Sequence, residues 1–160
     1  MSDIVFFWKP NEENGLFSNW HQTGFHDDDN IYYANCEQYI MAKKAQIFKD
    51  IEKKELIMKT SNPKTIKFYG RQVKNFNESN WDKHKYEIMV SGCFYKFSKN
   101  EQAKKTLLNT DNKIIAEASK YDFVWGIGLT KDEALKIPKK NWPGQNLLGK
   151  CLMDVRTLLK

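Results

Sequence analysis

The apolar residues between positions 86 and 97 recur at the spacing of one face of an α-helix, and this run constrains the fold most. The residues that carry it are Tyr86, Met89, Val90, Cys93, Phe94 and Phe97. Their steps of three and four residues match a period of 3.6, which places all six on one apolar stripe. This run is the strongest helix signal in the chain, and we predict an amphipathic helix whose apolar stripe other elements cover.

Shorter patterns predict further helices. Asn35 can cap a helix that carries CEQYIMAKK, and Asn62 can cap another that has Pro63 in its first turn. Gly70 is the predicted stop of that second helix. The remaining predicted helices span residues 101–108 and 147–159.

Strand signals are few and short. The predicted strands are Ile4–Trp8, Ile31–Ala34 and Ile114–Glu117. The polar run HDDDN at positions 26–30 is typical of an exposed turn. Together these patterns indicate an α+β fold that is predominantly helical, with a few short strands.

The chain length and the cysteines limit the class of protein to which this sequence can belong. A chain of 160 residues has the size of one domain, so we expect residues 1–160 to form a single domain. No apolar run approaches the ~20 residues of a membrane span, and the first ten residues lack the features of a signal peptide. Cys36, Cys93 and Cys151 are far apart and form no CxxC pattern, which favours buried free thiols in a reducing cytoplasm. The three histidines have no ligand spacing, so no zinc site is expected.

The charge distribution offers two interpretations. The formal net charge of +6 favours an anionic partner, whereas the spread of lysines along the chain also fits solvated surface charge. Only two of the 26 basic residues are arginines, Arg71 and Arg156. A guanidinium grips phosphate or carboxylate with a planar fork that lysine lacks. Each arginine is therefore a candidate for ligand binding or for a buried structural ion pair.

The stretch CEQYIMAKK places Glu37, Met41 and Lys44 near one face of its helix, because i+4 and i+7 overlap at a period of 3.6. Glu37 falls in the first turn, where the helix dipole favours an ionised carboxylate. Such a glutamate can act as a base or stabilise a cation. Spacing alone equally fits an N-terminal charge that only complements the dipole.

The stretch AEASKYDFVWGIG at 116–128 combines carboxylates, a tryptophan and two glycines. Asp122 follows a predicted strand, and Trp125 offers a flat face that can stack on a base or a sugar. Gly126 and Gly128 allow a ligand to approach the backbone closely. The alternative is a loop whose tryptophan fills the core and whose glycines turn the chain.

The stretch NWPGQNLLGKCLMDVR leads into the C-terminal helix. Gly144 and Asn146 precede that helix, so its first amides are a candidate anion site. Gly149 lies inside the helix, where glycine costs about 1 kcal/mol relative to alanine. Close packing or close approach of a ligand is the expected reason.

Taken in order, these stretches resemble the NADAR, or YbiA-like, N-glycosidase domain family over nearly all of the chain. The matching elements are FFW, LFSNW, CEQYIMAKK, YGRQV, the segment from Trp81 through Met89 to Phe97, AEASKYDFVWGIG and GQNLLGKCLMDVR. Two positions depart from the family pattern: Gln38 stands where His is usual, and Met41 stands where Gln is usual. The loop between Gly128 and Gly144 is also long and lysine-rich.

The resemblance implies hydrolysis of the bond between a ribose C1 and a nitrogen, with no metal or redox cofactor. The implied substrates are ribosylamino-pyrimidines of the riboflavin pathway, or ADP-ribose attached to guanine in a nucleotide or in DNA. Glu37 becomes the carboxylate that activates water or stabilises the cation at C1, and Asp122 the second carboxylate. Trp125 becomes the stacking wall, beside Gly126. The other implied site residues are the polar orienters Asn19 and Asn146 and the phosphate or structural clamps Arg71 and Arg156.

Two alternatives stay open at this point. Lys44 either attacks a ring-opened sugar C1 to form an imine or is a surface or salt-bridged lysine. The chain either hydrolyses its ligand or is a module that binds ADP-ribose or a modified base without cleaving it. Retention of Glu37, Lys44, Asp122 and Trp125 together favours the enzyme. A basic nucleic-acid adaptor is the least favoured class, because the lysines are spread throughout the chain.

Overall fold

The computed structural model describes residues 3–160, and helices dominate this part of the chain. Its α-helices are α1 (Cys36–Ile47), α2 (Ile51–Met58), α3 (Pro63–Arg71), α4 (Glu78–Ser98), α5 (Glu101–Leu108), α6 (Lys131–Ala134) and α7 (Leu147–Leu158). Its strands are β1 (Ile4–Phe7), β2 (Phe25–His26), β3 (Tyr32–Tyr33) and β4 (Ile114–Glu117). The predicted fold class, α+β and predominantly helical, is confirmed.

These elements group into two compact units. One comprises residues 3–21 and 101–160, and the other comprises residues 22–100. The single-domain expectation for residues 1–160 stays a prediction. We describe each unit by itself below.

In the first unit, β1 and β4 form a parallel pair. Their register runs from Ile4 opposite Ile114 to Phe7 opposite Glu117. Helix α7 packs against β4, and α5 packs against α7. A Cβ on Gly149 would collide with the carbonyl oxygen of Ile115, so the glycine lets α7 lie directly on the strand backbone. Close packing therefore explains this glycine.

In the second unit, α1 is the central helix and contacts α2, α3 and α4. The helix predicted through residues 86–97 lies within α4, whose Met89, Cys93 and Phe97 are buried. The predicted caps are confirmed, since the side chain of Asn35 accepts from the Gln38 amide and that of Asn62 from the Lys64 and Thr65 amides. Asparagine caps thus set the starts of the helices on which the reactive residues lie.

Two local predictions need correction, and the sequence pattern missed helix α2. Gly70 does not stop its helix; it lies inside α3, where a Cβ would collide with the Met41 side chain. Asp27 of the predicted exposed turn is buried, because its side chain accepts from the amides of Asp29 and Ile31. The pattern also did not indicate α2, in which Ile57 alone is buried and no apolar stripe forms.

The three cysteines are free and buried, as predicted. Among residues 3–160 no group of three or more His, Cys, Asp or Glu side chains is placed to hold a metal ion. Within the same residues, no helix has both the length and the apolar character needed to cross a bilayer.

Candidate functional site

Glu37 and Lys44 occupy opposite ends of α1. Glu37 lies in the first turn and Lys44 in the last, and both side chains are half-buried. The Lys44 Nζ lies 4.6 Å from the ring centroid of Phe76 and 5.9 Å from that of Trp81. Two aromatic rings therefore hold the amine and shield it from water.

The charges around Lys44 act in opposite directions. Burial lowers the pKa of the Lys44 ammonium, the Glu37 carboxylate raises it, and the Arg71 guanidinium lowers it again; the net effect is a lowered pKa. A lysine with a lowered pKa supplies more neutral amine, the form that can attack a carbonyl or an imine. The second unit thus brings three predicted residues, Glu37, Lys44 and Arg71, into one electrostatic group.

The aromatic partners of Lys44 were not assigned a role from the sequence. Phe76 follows α3 and is 45% exposed, whereas Trp81 in the first turn of α4 is buried. Trp81 begins a segment that resembles the family, and that resemblance could have marked it as a candidate site residue. Phe76 had no signal, because it lies in a loop and is 32 residues away from Lys44 in sequence.

Gln38, one of the two departures from the family pattern, belongs to the packing of the second unit. Its Oε1 accepts from the Ala34 amide at 2.8 Å, and its Nε2 donates to the carbonyls of Ile57 and Thr60 at 2.9 and 2.8 Å. The side chain is buried. Gln38 therefore ties the start of α1 to the end of α2 and to the loop that follows.

We expect Gln38→Ala to destabilise the protein by about 3 kcal/mol, because one buried and two part-buried hydrogen bonds to backbone groups are lost. For a chain of this size, that corresponds to a melting temperature lower by about 6–12 °C. Gln46→Ala, at an exposed position of the same helix, is the matched control and should change stability by less than about 0.5 kcal/mol. Equal melting temperatures for the two variants would contradict the role of Gln38.

In the first unit, Asp122 organises the turn that carries Trp125. Its Oδ1 accepts from the amides of Val124 at 3.0 Å and Trp125 at 2.8 Å. This carboxylate caps a tight turn much as an N-cap residue caps a helix. Asp122 thereby fixes the backbone from which the half-buried Trp125 projects.

The turn is joined to the start of α7 by a ladder of backbone hydrogen bonds. The Gly144 amide donates to Ile127 O at 2.8 Å, and the Asn146 amide donates to Gly126 O at 2.9 Å. A Cβ on Gly126 would lie 3.0 Å from Asp122 O and 3.1 Å from Glu117 O. These glycines therefore serve close packing within the loop.

This ladder corrects the prediction of an anion site at the start of α7. The amides of Leu147 and Leu148 donate to the carbonyls of Val124 and Trp125, both at 3.1 Å. Donors that are already paired do not bind a ligand. The physical reason is that the loop carbonyls reach the helix start and satisfy it.

Asn146 links three parts of the first unit. Its side-chain amide donates to Ile115 O at 3.0 Å, and its Oδ1 accepts from the Glu117 amide at 3.1 Å. Its backbone has φ 54°, a left-handed conformation that asparagine tolerates better than most residues. Asn146 thus joins β4 to α7 beside the turn that carries Asp122, Trp125 and Gly126.

The remaining predicted residues, Arg156 and Asn19, belong to the first unit. Arg156, near the other end of α7, is buried and donates to Thr110 Oγ1 at 2.9 Å and Lys113 O at 2.8 Å. This is the geometry of the structural clamp rather than of a phosphate ligand. Asn19 is half-buried and follows the 3₁₀ turn Gly15–Phe17.

The comparisons with known proteins concern the chain as a whole. The NADAR domain family matches residues 6–160. The chain belongs to the NADAR family. This match includes segments of both units and all nine predicted site residues.

Other NADAR relatives carry an enzymatic name. N-glycosidase R617 of Acanthamoeba polyphaga mimivirus is 45% identical over 159 residues, covering 95% of this chain and 94% of that protein. N-glycosidase Npun_R5314 of Nostoc punctiforme is 32% identical over 152 residues, covering 95% and 90%. The NMR structure of the E. coli protein YbiA matches with a TM-score of 0.80 and 27% identity, covering 99% of this chain and 86% of that one.

Proposed function

We propose that this NADAR protein is an N-glycosidase that hydrolyses the bond between a ribose C1 and a base nitrogen. Membership in a family whose similar members are named N-glycosidases supports the enzyme class, a hydrolase acting on N-glycosyl bonds. The observation that carries the mechanism is the group on α1, where a carboxylate and a lysine shielded by aromatic rings share one electrostatic environment.

Glu37 stabilises the charge that develops at C1. Opening of the ribose ring and exchange of the nitrogen on C1 pass through iminium states with positive charge shared by C1 and nitrogen, and a carboxylate beside C1 lowers the energy of those states. The same carboxylate can accept a proton from the attacking nucleophile. Both roles require the ionised form, which the helix N-terminus favours.

Lys44 is the proposed nucleophile. When the leaving nitrogen is an exocyclic amine, the ribose ring opens to an imine between C1 and that nitrogen. The neutral Lys44 amine adds to C1, the bond between C1 and the base nitrogen breaks, and the base leaves as its amine after taking up a proton. Water then hydrolyses the lysine imine, which releases the sugar aldehyde and restores the Lys44 amine.

The other residues position the substrate. Trp125 supplies a stacking face, Asp122 and Gly126 shape its turn, and Asn19 is a polar orienter. The Asn146 side chain is bonded within the fold, so we assign it no contact with substrate. Arg71 is exposed near Lys44 and suits a substrate phosphate. Arg156 acts as a structural clamp, so we assign it no contact with substrate.

The proposed substrates are a ribosylamino-pyrimidine phosphate and guanine-linked ADP-ribose, either free or on DNA. Both are anionic, which suits a chain of net charge +6. A cytoplasmic location suits three buried free thiols. No metal or redox cofactor takes part in the proposed chemistry.

A paired turnover assay read by mass spectrometry tests the proposal. One reaction contains guanine-linked ADP-ribose, the other a ribosylamino-pyrimidine phosphate, and borohydride is added to a parallel set. We expect release of the free base from at least one substrate and a reduced sugar adduct on Lys44. Binding without release from either substrate would contradict the enzyme and favour the binding module.

We expect Asp122→Ala to lower kcat/KM by at least about 30-fold, equivalent to ~2 kcal/mol. The reason is that the turn that carries Trp125 loses both hydrogen bonds to the Asp122 carboxylate. Asp122→Asn should stay within about three-fold of the wild type, since an amide oxygen can accept the same two bonds. If Asn impairs the reaction as much as Ala, the charge of Asp122 itself takes part in proton transfer.

A further inference from the structure

The first unit contains a cavity that the proposed reaction does not use. Its volume is about 540 Å³, and small-molecule sites usually have volumes of roughly 300–1,000 Å³. The cavity lies among β1, the loop that follows β1, the end of α5 and the helix α6. Among the described residues that line it, none is assigned above to catalysis or to substrate. The cavity is therefore a candidate site for a second ligand.

Apolar side chains form a large part of the cavity lining. Phe6 and Phe17 are buried, Val5 is half-buried and Leu135 is 58% exposed. A ligand that covers Leu135 removes apolar surface from water, which favours binding. The two phenyl rings favour a flat aromatic occupant, since aromatic rings pack well face to face with an offset or edge to face.

Hydrogen bonds within the fold hold the walls of the cavity in place. Asn14 Nδ2 donates to Phe6 O at 2.9 Å, which fixes the loop after β1 against the strand. The Arg156 clamp donates to Thr110 Oγ1 and to Lys113 O, which fixes the turn between α5 and β4. Because these walls are already ordered, a ligand spends little of its binding free energy on ordering them.

Three charged side chains line the cavity, namely Glu13, Lys113 and Lys131. All three are exposed, and within residues 3–160 none of them forms an ion pair or a side-chain hydrogen bond. Two lysines and one glutamate give the cavity a net charge of +1. This charge favours a ligand with a single anionic group over a polyanion.

Part of the wall comes from the lysine-rich loop at positions 129–143, where the chain departs from the family pattern. This loop contributes Lys131 and Leu135. A capping box orders its start, because Thr130 Oγ1 accepts from the Glu133 amide at 3.2 Å and the Glu133 carboxylate accepts from the Thr130 amide at 3.0 Å. The loop thus presents one cation and one apolar side chain to the cavity from an ordered helix.

We propose that this cavity binds a small aromatic molecule that carries one carboxylate or phosphate group. The ring packs against Phe6 and Phe17, and the ammonium groups of Lys113 and Lys131 attract the anionic group. Glu13 accepts a hydrogen bond from a hydroxyl or amino group on the ring. Binding requires no residue of α1, so the proposal goes beyond the N-glycosidase reaction and does not depend on it.

The first test is a two-dimensional ¹H–¹⁵N NMR titration of the wild-type protein with 1-naphthoate and with 1-naphthyl phosphate. At least one of them should bind with a Kd of about 0.1–1 mM, as expected for about 13–15 non-hydrogen atoms. The shifted amides should be those of the residues that line the cavity. The tighter of the two ligands shows whether the site prefers a carboxylate or a phosphate.

Two kinds of probe separate the contribution of the ring from that of the charge. The neutral 1-naphthalenemethanol has the ring alone, and acetate and inorganic phosphate have the charge alone. Each should bind at least ~10-fold more weakly than the better naphthalene anion. If neither naphthalene anion binds, or if the neutral ring binds as tightly as both anions, the proposal is overturned.

Lys113→Gln/Lys131→Gln should weaken binding of the naphthalene anions by about five- to ten-fold and leave the neutral ring unaffected. Leu135→Asn should weaken the neutral ring and the anions alike, by about three- to five-fold. Lys139→Gln/Lys140→Gln is the matched control, because it removes two exposed lysines of the same loop that do not line the cavity. Equal losses of anion binding in the two double lysine variants would mean that only net charge matters, which contradicts a built site.

A last comparison separates this site from the proposed function. Glu37→Gln and Lys44→Met should bind the naphthalene anions like the wild type, and the Lys113→Gln/Lys131→Gln variant should keep wild-type turnover. Amide shifts confined to α1 would place the ligand at the proposed reactive group and overturn the second site. If no N-glycosidase substrate is cleaved while the cavity binds as expected, only the proposed function fails.

Discussion

Glu37→Gln is expected to reduce kcat/KM by at least ~10³-fold, equivalent to about 4 kcal/mol of transition-state stabilisation. The amide keeps the shape of the side chain but carries no charge to stabilise C1 and accepts no proton. The position is half-buried at the first turn of α1, so the variant should fold with a nearly unchanged melting temperature. Turnover with either substrate, together with thermal denaturation, measures both effects.

The matched control for this variant is Glu78→Gln. Glu78 is an exposed glutamate in the first turn of α4, so its removal changes the same kind of helix-terminal charge. Glu78→Gln should lose only the interaction with the helix dipole, which typically lowers the free energy of unfolding by about 0.3–1 kcal/mol. Turnover should stay intact. A folded Glu37→Gln variant that turns over substrate like Glu78→Gln would remove Glu37 from the mechanism.

Lys44→Met is the second variant with a large expected effect. We expect a loss of at least ~10³-fold in kcat/KM and no borohydride-trapped adduct, because methionine provides similar bulk between Phe76 and Trp81 but no amine. Lys44→Arg should be equally inactive, since a guanidinium keeps the charge and forms no imine. Mass spectrometry of the trapped enzyme locates the adduct directly.

Lys43→Met is the matched control for Lys44. Lys43 neighbours Lys44 on α1, is also half-buried, and has its Nζ 5.4 Å from the Tyr39 ring centroid. Its removal should leave both the adduct and the turnover intact. An adduct that persists in Lys44→Met would assign the imine to another amine, and full activity would favour direct attack by water.

The lowered pKa of Lys44 gives this mechanism a pH signature. The neutral amine is the reactive form, so the rate of adduct formation should rise with pH until the pH exceeds the lowered pKa. Arg71 is one cause of the lowered pKa, so Arg71→Gln should raise it and move the rising limb to higher pH. A profile that does not move would mean that burial alone controls the amine.

Much of this protein could be predicted from the sequence, because many of its elements follow local rules. Asn35 and Asn62 cap helices through bonds to amides two or three residues ahead. The strand Ile114–Glu117 and the helix Glu101–Leu108 begin and end where the pattern predicts. The succession of family-like stretches also identified the NADAR family and the residues worth testing.

Only the tertiary structure decided what the partly and fully buried polar residues do. Arg156 clamps Thr110, which is 46 residues away, Asn146 bonds Ile115, which is 31 residues away, and Phe76 covers the amine of Lys44. Gly70 continues its helix because the Met41 side chain occupies the space beside it. The amides at the start of α7 are satisfied by a loop some twenty residues earlier in the chain.

One physical cause separates the features that the sequence predicts from those that only the tertiary structure decides. Periodicity, caps and turns depend on backbone geometry within a few residues, so the sequence by itself determines the helices, most of their starts and the candidate residues. Burial, hydrogen-bond partners and pKa shifts depend on groups that are distant in sequence and adjacent in space. The tertiary structure alone therefore separates Lys44, held between rings beside charged partners, from Arg156, whose guanidinium is used within the fold.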